Sequence, residues 1–190
     1  MAVHVVVMGV SGCGKSTVAA ALRDRFGFDM LEGDDLHPRA NVEKMRSGTP
    51  LSDGDREPWL RAVGAWMARR EREGRDTVVS CSALKRGYRD LLRGEADVWF
   101  LHLDGAAALV GERLRARRGH FMPASLLASQ FDALEPLAAD EDGATIAVEG
   151  SVEEVVGRAV AAVEAYRAGH GGDDAPSSPI GVTAVSLGEA

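Results

Sequence analysis

The fold follows from one stretch of the chain, residues 3–17, which reads Val3-His4-Val5-Val6-Val7-Met8-Gly9-Val10-Ser11-Gly12-Cys13-Gly14-Lys15-Ser16-Thr17. The apolar run from Val3 to Met8 is typical of a short strand buried on both faces, as in a parallel sheet. From Lys15 onward, apolar residues recur at helical spacing up to Phe26, and Gly27 is placed to end that helix. The stretch therefore predicts a strand, a glycine-rich loop and a helix in succession.

The loop between this strand and helix fits the pattern GxxxxGK[ST] of a P-loop, in the context that the motif requires. Its glycines let backbone N–H groups turn inward, and the helix N-terminus adds positive charge, so the loop forms a cavity for phosphate oxygens. Lys15 is predicted to reach the β- and γ-phosphates and Ser16 to place its hydroxyl on Mg²⁺. The predicted nucleotide-binding residues here are Gly9, Val10, Ser11, Gly12, Cys13, Gly14, Lys15, Ser16 and Thr17.

Length and composition predict one soluble domain. The chain has 190 residues, 45% of them apolar, with 29 acidic against 22 basic residues and a net charge of −7. This charge disfavours binding to nucleic acid or to an anionic membrane, and no apolar run approaches the roughly 20 residues that span a bilayer. Cys13 and Cys81 form no CxxC pair and indicate reduced thiols. We therefore expect a cytoplasmic protein without nucleic-acid or membrane partners.

Strand and helix patterns alternate along the chain, which predicts an α/β fold: a three-layer P-loop sandwich with a five-stranded parallel sheet flanked by helices. The predicted strands are 3–8, 28–31, 77–81, 97–103 and 144–148, and the main predicted helices are 15–26, 38–47, 55–73, 85–93 and 106–118. A break at 119–123 and a short helix through Phe131 follow, and Ser151 with Glu154 forms a capping box for the last helix. Residues 1–168 are predicted to form the domain, and residues 169–190, rich in Gly, Ser, Pro and Asp, a flexible tail.

Several segments resemble the gluconokinase family in the right order, over about residues 4 to 167. They are Gly33-Asp34-Asp35-Leu36-His37-Pro38, Cys81-Ser82-Ala83-Leu84-Lys85, Gly119-His120-Phe121 and Gln130-Phe131. The resemblance implies an adenylate-kinase-like fold with a small lid, often dimeric, that phosphorylates D-gluconate on its 6-hydroxyl with ATP and Mg²⁺.

An open-chain sugar acid needs a pocket with hydrogen-bonding side chains and at least one cation. The candidates for this pocket are Asp34, His37, Arg56, Lys85, Arg89 and His120. Asp34 follows the second strand, where it is expected to position the acceptor hydroxyl as a catalytic residue and candidate proton acceptor. Lys85 and Arg89, one helical turn apart, are predicted to face the same ligand. Simpler interpretations remain for these residues: a locally satisfied helix start for His37 and a solvated surface for Lys85 and Arg89.

Two further groups complete the predicted ATP site. Arg113 and Arg117 are one turn apart near the presumed lid, where closure would bring Arg117 onto the transferring phosphoryl group as a catalytic arginine finger. Glu32 is either a second Mg²⁺ contact, through water, or only a charge at a strand end. The adenine is expected between the region from Arg113 to Arg117 and the loop after the fifth strand, around residues 148–151.

The expected function is that of a gluconokinase. The nearest alternative is a related small-molecule kinase of the shikimate type, and another is a nucleotide-binding module without acceptor chemistry. Neither the guanine-reading NKxD pattern nor the transporter signature LSGGQ occurs in the chain, which favours a metabolite kinase over switches and transporters.

Overall fold

The computed structural model describes residues 2–116 and 126–170, and these residues form alternating strands and helices. The strands are β1 (His4–Met8), β2 (Asp29–Glu32), β3 (Thr77–Ser80), β4 (Val98–Asp104) and β5 (Gly143–Ala147). The helices are α1 (Lys15–Phe26), α2 (Arg39–Arg46), α3 (Asp53–Arg72), α4 (Arg86–Arg93), α5 (Ala107–Ala116), α6 (Leu126–Ala133) and α7 (Val152–His170). A short 3₁₀ helix, Gly33–Leu36, follows β2.

The five strands form one parallel sheet in the order β2-β3-β1-β4-β5, which confirms the predicted fold class. The strand that carries the P-loop, β1, is central and fully buried. Because the strands are parallel, their carboxyl ends open at one edge of the sheet, and ligands of such sheets bind there. The loop after β1 and the acidic residues after β2 therefore lie at the same edge.

Helices cover both faces of the sheet. Val5 and Val7 of β1 point into a core shared with α1, α5, α6 and α7. Val6 and Met8 point the other way, into a second core formed with α3 and α4. This alternation gives the three layers expected from the sequence. Among the described helices, none combines the length and apolar character needed to cross a membrane.

The predicted elements are all found where the structure describes them, with ends that differ by a few residues. For example, α3 begins at Asp53 because Ser52 and Asp55 form a capping box that the sequence analysis overlooked. The predicted capping box of Ser151 and Glu154 is confirmed by its two reciprocal hydrogen bonds of 2.7 and 3.2 Å. The predicted tail begins two residues too early, because Gly169 and His170 are the last residues of α7. The predicted break at 119–123 and residues 171–190 of the tail lie outside the described residues.

A buried ion pair stabilises the loops at the sheet edge. Both the Arg89 side chain on α4 and the Glu141 side chain before β5 are 0% exposed, and two hydrogen bonds of 2.7 Å join them. The remaining N–H groups of Arg89 reach four backbone carbonyls, those of Ala83, Leu84, Glu135 and Pro136. One guanidinium therefore holds together the loop after β3 and the segment after α6.

We predict that Glu141→Gln lowers the free energy of unfolding by about 3–5 kcal/mol, because it leaves the Arg89 charge buried without a counter-charge. Urea unfolding measures the difference. The matched control is Asp140→Asn, which removes an equally close but exposed pair with Arg86 at 2.8 and 2.9 Å. A surface pair contributes far less to stability, because water solvates both charges in the folded protein. Equal losses in the two variants would contradict the role assigned to Glu141.

The same pair predicts a loss of stability in acid. Hydrogen bonds from Arg89 lower the pKa of Glu141 from 4.5 to about 2. Between these pH values the unfolded chain binds the proton more readily than the folded protein does. The contribution of Glu141 to the free energy of unfolding is therefore complete above pH 4.5 and disappears as the pH falls towards 2. Stability measured against pH should therefore fall less steeply over this range in Glu141→Gln than in the parent protein.

Candidate functional site

Three glycines give the P-loop a backbone conformation that other residues rarely adopt. Gly9, Gly12 and Gly14 adopt φ values of 136°, 87° and 105°, which side chains other than glycine rarely tolerate. The helix α1 begins directly at Lys15, whose ammonium donates a hydrogen bond of 3.0 Å to the carbonyl of Val10. The lysine side chain thus lies back across the loop that precedes its own helix.

A hydroxyl and a carboxylate meet beside the P-loop. The Ser16 hydroxyl donates a hydrogen bond of 2.9 Å to Oε2 of Glu32, and the Ser80 hydroxyl at the end of β3 donates to the same oxygen. Glu32 is therefore more than a solvated strand-end charge, because two neighbouring elements converge on it. Hydroxyl and carboxylate oxygens are the ligands that Mg²⁺ prefers, so the pair fits this ion.

A cavity, here called the Asp34 cavity, opens between the P-loop and the acidic end of β2. It brings together Lys15 with three of the predicted acceptor-site residues, Asp34, His37 and Arg56. The rest of its lining is Ser11, Met45, Pro50, Leu51, Ser82, Leu126, Ser129 and Gln130. A basic residue from the phosphate loop, a carboxylate, an imidazole and a guanidinium thus surround one space.

His37 is held against Trp59 in this cavity. The two rings stack with centroids 4.0 Å apart, and the Trp59 indole donates a hydrogen bond of 2.7 Å to the carbonyl of Gly33. Burial lowers the pKa of His37 to about 4; the Asp34 carboxylate raises it and the Arg56 charge lowers it. The imidazole is therefore neutral near pH 7. The adjacent Asp34 side chain remains 47% exposed and accessible to a ligand.

Arg56 and Lys85 both lie close to the ring of Tyr88. The Arg56 guanidinium is 5.8 Å and the Lys85 ammonium 5.5 Å from the centre of the Tyr88 ring. Arg56 lines the Asp34 cavity, whereas Lys85 pairs with Asp53 at 2.8 and 3.0 Å and is part of the surrounding surface. The cavity therefore has Arg56 as its cation on the α3 side.

Arg89 differs from the sequence expectation. It does not face a ligand together with Lys85, because its side chain is 0% exposed and bound to Glu141 and to backbone carbonyls. Lys85 is the N-cap of α4, and its carbonyl accepts the backbone hydrogen bond of Arg89 at 3.2 Å. The two side chains nevertheless do not share a ligand, because that of Lys85 pairs with Asp53 and that of Arg89 is buried. Arg89 thus has a structural role in place of the predicted substrate contact.

A second cavity, the Val152 cavity, lies on the other side of the P-loop and has a volume of about 360 Å³. Its lining comes from the P-loop and α1, from Arg113 of α5, and from Val152, Val155 and Val156 of α7. Arg113 donates hydrogen bonds to the carbonyls of Val148 and Gly150, at 2.9 and 3.2 Å. Arg113 is thereby brought together with the P-loop and with the loop after β5, where the adenine was expected.

Some functional residues were missed, and others lie outside the described residues. Gln130 of α6 accepts a hydrogen bond of 2.6 Å from the backbone N–H of Ser11, across 119 positions of sequence. The sequence signal for Gln130 was the Gln130-Phe131 motif, which did not reveal this contact with the P-loop. Arg117 and His120, predicted for catalysis and for substrate binding, fall in the gap at 117–125.

Comparisons with known proteins agree with this geometry. A family model described as an AAA domain matches residues 5–137. The gluconokinase of Gluconobacter oxydans (strain 621H) is 52% identical over 137 residues, which cover 72% of this chain and 77% of that protein. A crystal structure of a gluconokinase from Sinorhizobium meliloti 1021 has a TM-score of 0.81 and 42% identity, covering 88% of this chain and 95% of that one.

A crystal structure of a sugar kinase from Janibacter sp. HTCC2649 is similar too, with a TM-score of 0.83 and 46% identity over 86% of this chain and 95% of that one. These likenesses extend over most of the chain, and the residues matched by the family model include the P-loop and the β2 side of the Asp34 cavity. The chain therefore belongs to the gluconokinase family of P-loop kinases.

Proposed function

We propose that this protein is a gluconokinase, which transfers the γ-phosphoryl group of ATP to the 6-hydroxyl of D-gluconate and releases 6-phospho-D-gluconate and ADP. The main support for the proposal is that Lys15 of the P-loop lines the same cavity as Asp34, His37 and Arg56. An acceptor bound there lies beside the site of the phosphate chain, as an in-line transfer requires.

Different residues of the Asp34 cavity bind different groups of the sugar acid. Arg56 supplies a permanent positive charge for the carboxylate. Asp34 accepts the hydrogen bond of a hydroxyl and directs its oxygen towards the P-loop. Because phosphoryl transfer has a loose transition state, positioning of this oxygen matters more than removal of its proton. Lys85 and His120 remain proposed as further contacts to the substrate.

Mg²⁺ would be held on the P-loop side by Ser16 directly and by Glu32 through water. When bound, the ion neutralises charge on the β- and γ-phosphates. The hydrogen bond between Ser16 and Glu32 keeps both oxygens on the side of the P-loop that faces β2. We assign ATP as the nucleotide on the strength of the family, with its base in the apolar Val152 cavity and Arg113 beside it.

Arg117 is proposed as the catalytic arginine that closes over the phosphates. Pairing of two copies into a homodimer and a place in the cytoplasm are further parts of the proposal, and both rest on the family resemblance. Light scattering of the purified protein tests the first of these, with a mass near twice 20.1 kDa expected.

The alternatives differ in their response to the acceptor. We expect release of ADP to be strongly accelerated by D-gluconate and at least about tenfold less by shikimate, other aldonates or nucleoside monophosphates, since a pocket built for one set of hydroxyls rejects others. A coupled ADP-release assay measures this. Preference for another acceptor would support a different small-molecule kinase, and slow turnover insensitive to all of them would support a nucleotide-binding module.

Lys15→Ala is predicted to lower kcat by at least about a hundredfold, because an ammonium aimed at the phosphates stabilises charge that develops during transfer. The fold should be retained, since the Lys15 side chain contributes one hydrogen bond to the loop, to the carbonyl of Val10. Steady-state kinetics and a melting curve give the two readouts. An active variant would show that the loop does not act as proposed.

Asp34→Asn is predicted to reduce kcat with little change in nucleotide affinity, because Asp34 positions the acceptor rather than the nucleotide. The matched control is Asp35→Asn, a neighbouring exposed carboxylate of the same 3₁₀ helix that does not line the Asp34 cavity. Kinetics in both substrates separate the two variants. Full activity of Asp34→Asn, or an equal loss in both, would contradict the assignment.

A further inference from the structure

Asn41, on α2, has contacts that determine the chemical form of His37. Its side chain amide is buried, with the residue 4% exposed. The amide nitrogen Nδ2 lies 2.7 Å from the backbone carbonyl oxygen of Asp55 and 3.4 Å from Nδ1 of His37. A carbonyl oxygen only accepts hydrogen bonds, so the end of the amide that faces Asp55 is the NH₂ group and not the oxygen.

This orientation leaves one role for Nδ1 of His37. The same NH₂ group lies 3.4 Å from Nδ1, and because an amide nitrogen only donates hydrogen bonds, Nδ1 is the accepting nitrogen of this contact. A neutral imidazole has one N–H and one bare nitrogen, so the proton of His37 is on Nε2. The low pKa of His37, which burial causes, keeps the ring neutral.

The protonated nitrogen faces the acceptor region. Nε2 of His37 lies 3.9 Å from Oδ1 of Asp34, and both side chains line the Asp34 cavity. The charged groups that face the ring are Asp34 from the 3₁₀ helix and Arg56 from α3, while α2 contributes the Asn41 amide and α3 the stacked Trp59. An N–H donor thus stands beside a carboxylate acceptor.

We propose that Asn41 is a positioning residue that fixes His37 as a neutral Nε2–H donor, so that His37 and Asp34 together select a hydroxyl group of the acceptor. A hydroxyl fits because it accepts from His37 and donates to Asp34 at the same time. A carboxylate does not fit, because it cannot donate to Asp34, and Arg56 is the group that receives it. The second half of this inference rests on the proposed gluconokinase function.

The form of His37 is tested without any substrate by ¹⁵N NMR of protein labelled at histidine. The chain has five histidines, and the signals that disappear in His37→Gln identify this ring. Near pH 7 we expect the proton on Nε2 and a bare Nδ1. A proton on Nδ1, or a doubly protonated ring, would overturn the proposal. This measurement uses the parent protein and decides the question even if a variant of Asn41 fails to fold.

The functional role is tested by a double-mutant cycle. Asn41→Ala is expected to raise KM for D-gluconate about tenfold, the effect of losing one oriented hydrogen bond, with KM for ATP changed less than about twofold. In a His37→Gln background the donor is the glutamine NH₂ group. This group carries its hydrogens whether or not Asn41 is present, whereas the proton of an imidazole can be on either nitrogen. There, Asn41→Ala is expected to raise KM for gluconate less than about twofold further.

The same tenfold effect in both backgrounds would show that Asn41 acts through Asp55 or through general stability, and would overturn its proposed action on His37. The protonation of His37 at Nε2 and the proposed gluconokinase function can be contradicted independently of each other. If the parent protein does not phosphorylate gluconate, the proposed function is wrong, whereas the NMR measurement on the free protein still decides which nitrogen of His37 carries the proton.

Discussion

Parallel alignment of the five strands, with β1 in the centre, is the constraint on which the site depends. The carboxyl ends of β1, β2 and β3 all open at one edge of the sheet, so the P-loop, Glu32 and Ser82 emerge side by side. The hydrogen bonds from Ser16 and Ser80 to Glu32 are possible only because these three strands are neighbours. Site geometry here is a consequence of sheet topology.

Loops at such an edge need support, and two polar contacts over long sequence distances provide it. Arg89 and Glu141 form a fully buried ion pair, and Arg89 also satisfies carbonyls of the loop after β3 and of the segment after α6. Gln130 joins α6 to the P-loop through the amide of Ser11. A buried charge network of this kind is costly when incomplete, so it favours one arrangement of the loops that it joins. The acceptor side and the phosphate side of the site are thereby connected.

Local sequence signals were sufficient for the elements and the phosphate site. The P-loop was predictable because its motif lies within eight consecutive residues and its glycines set the backbone conformation locally. The capping box at Ser151 spans only four residues. Arg89 was misassigned for the opposite reason. Its spacing from Lys85 suggested a shared face, but its partner, Glu141, is 52 positions away and was not identifiable from a pattern.

The chain by itself thus determined the order of strands and helices, the phosphate-binding loop and the family to which its motifs belong, since each of these depends on residues close in sequence or on recognisable motifs. Only the tertiary structure decided that Arg56 lines the Asp34 cavity, that Arg89 is buried in an ion pair, and that Asn41 contacts the imidazole of His37. These outcomes depend on burial and on hydrogen-bond partners that packing brings together, and a charged side chain has a different role when its partners change.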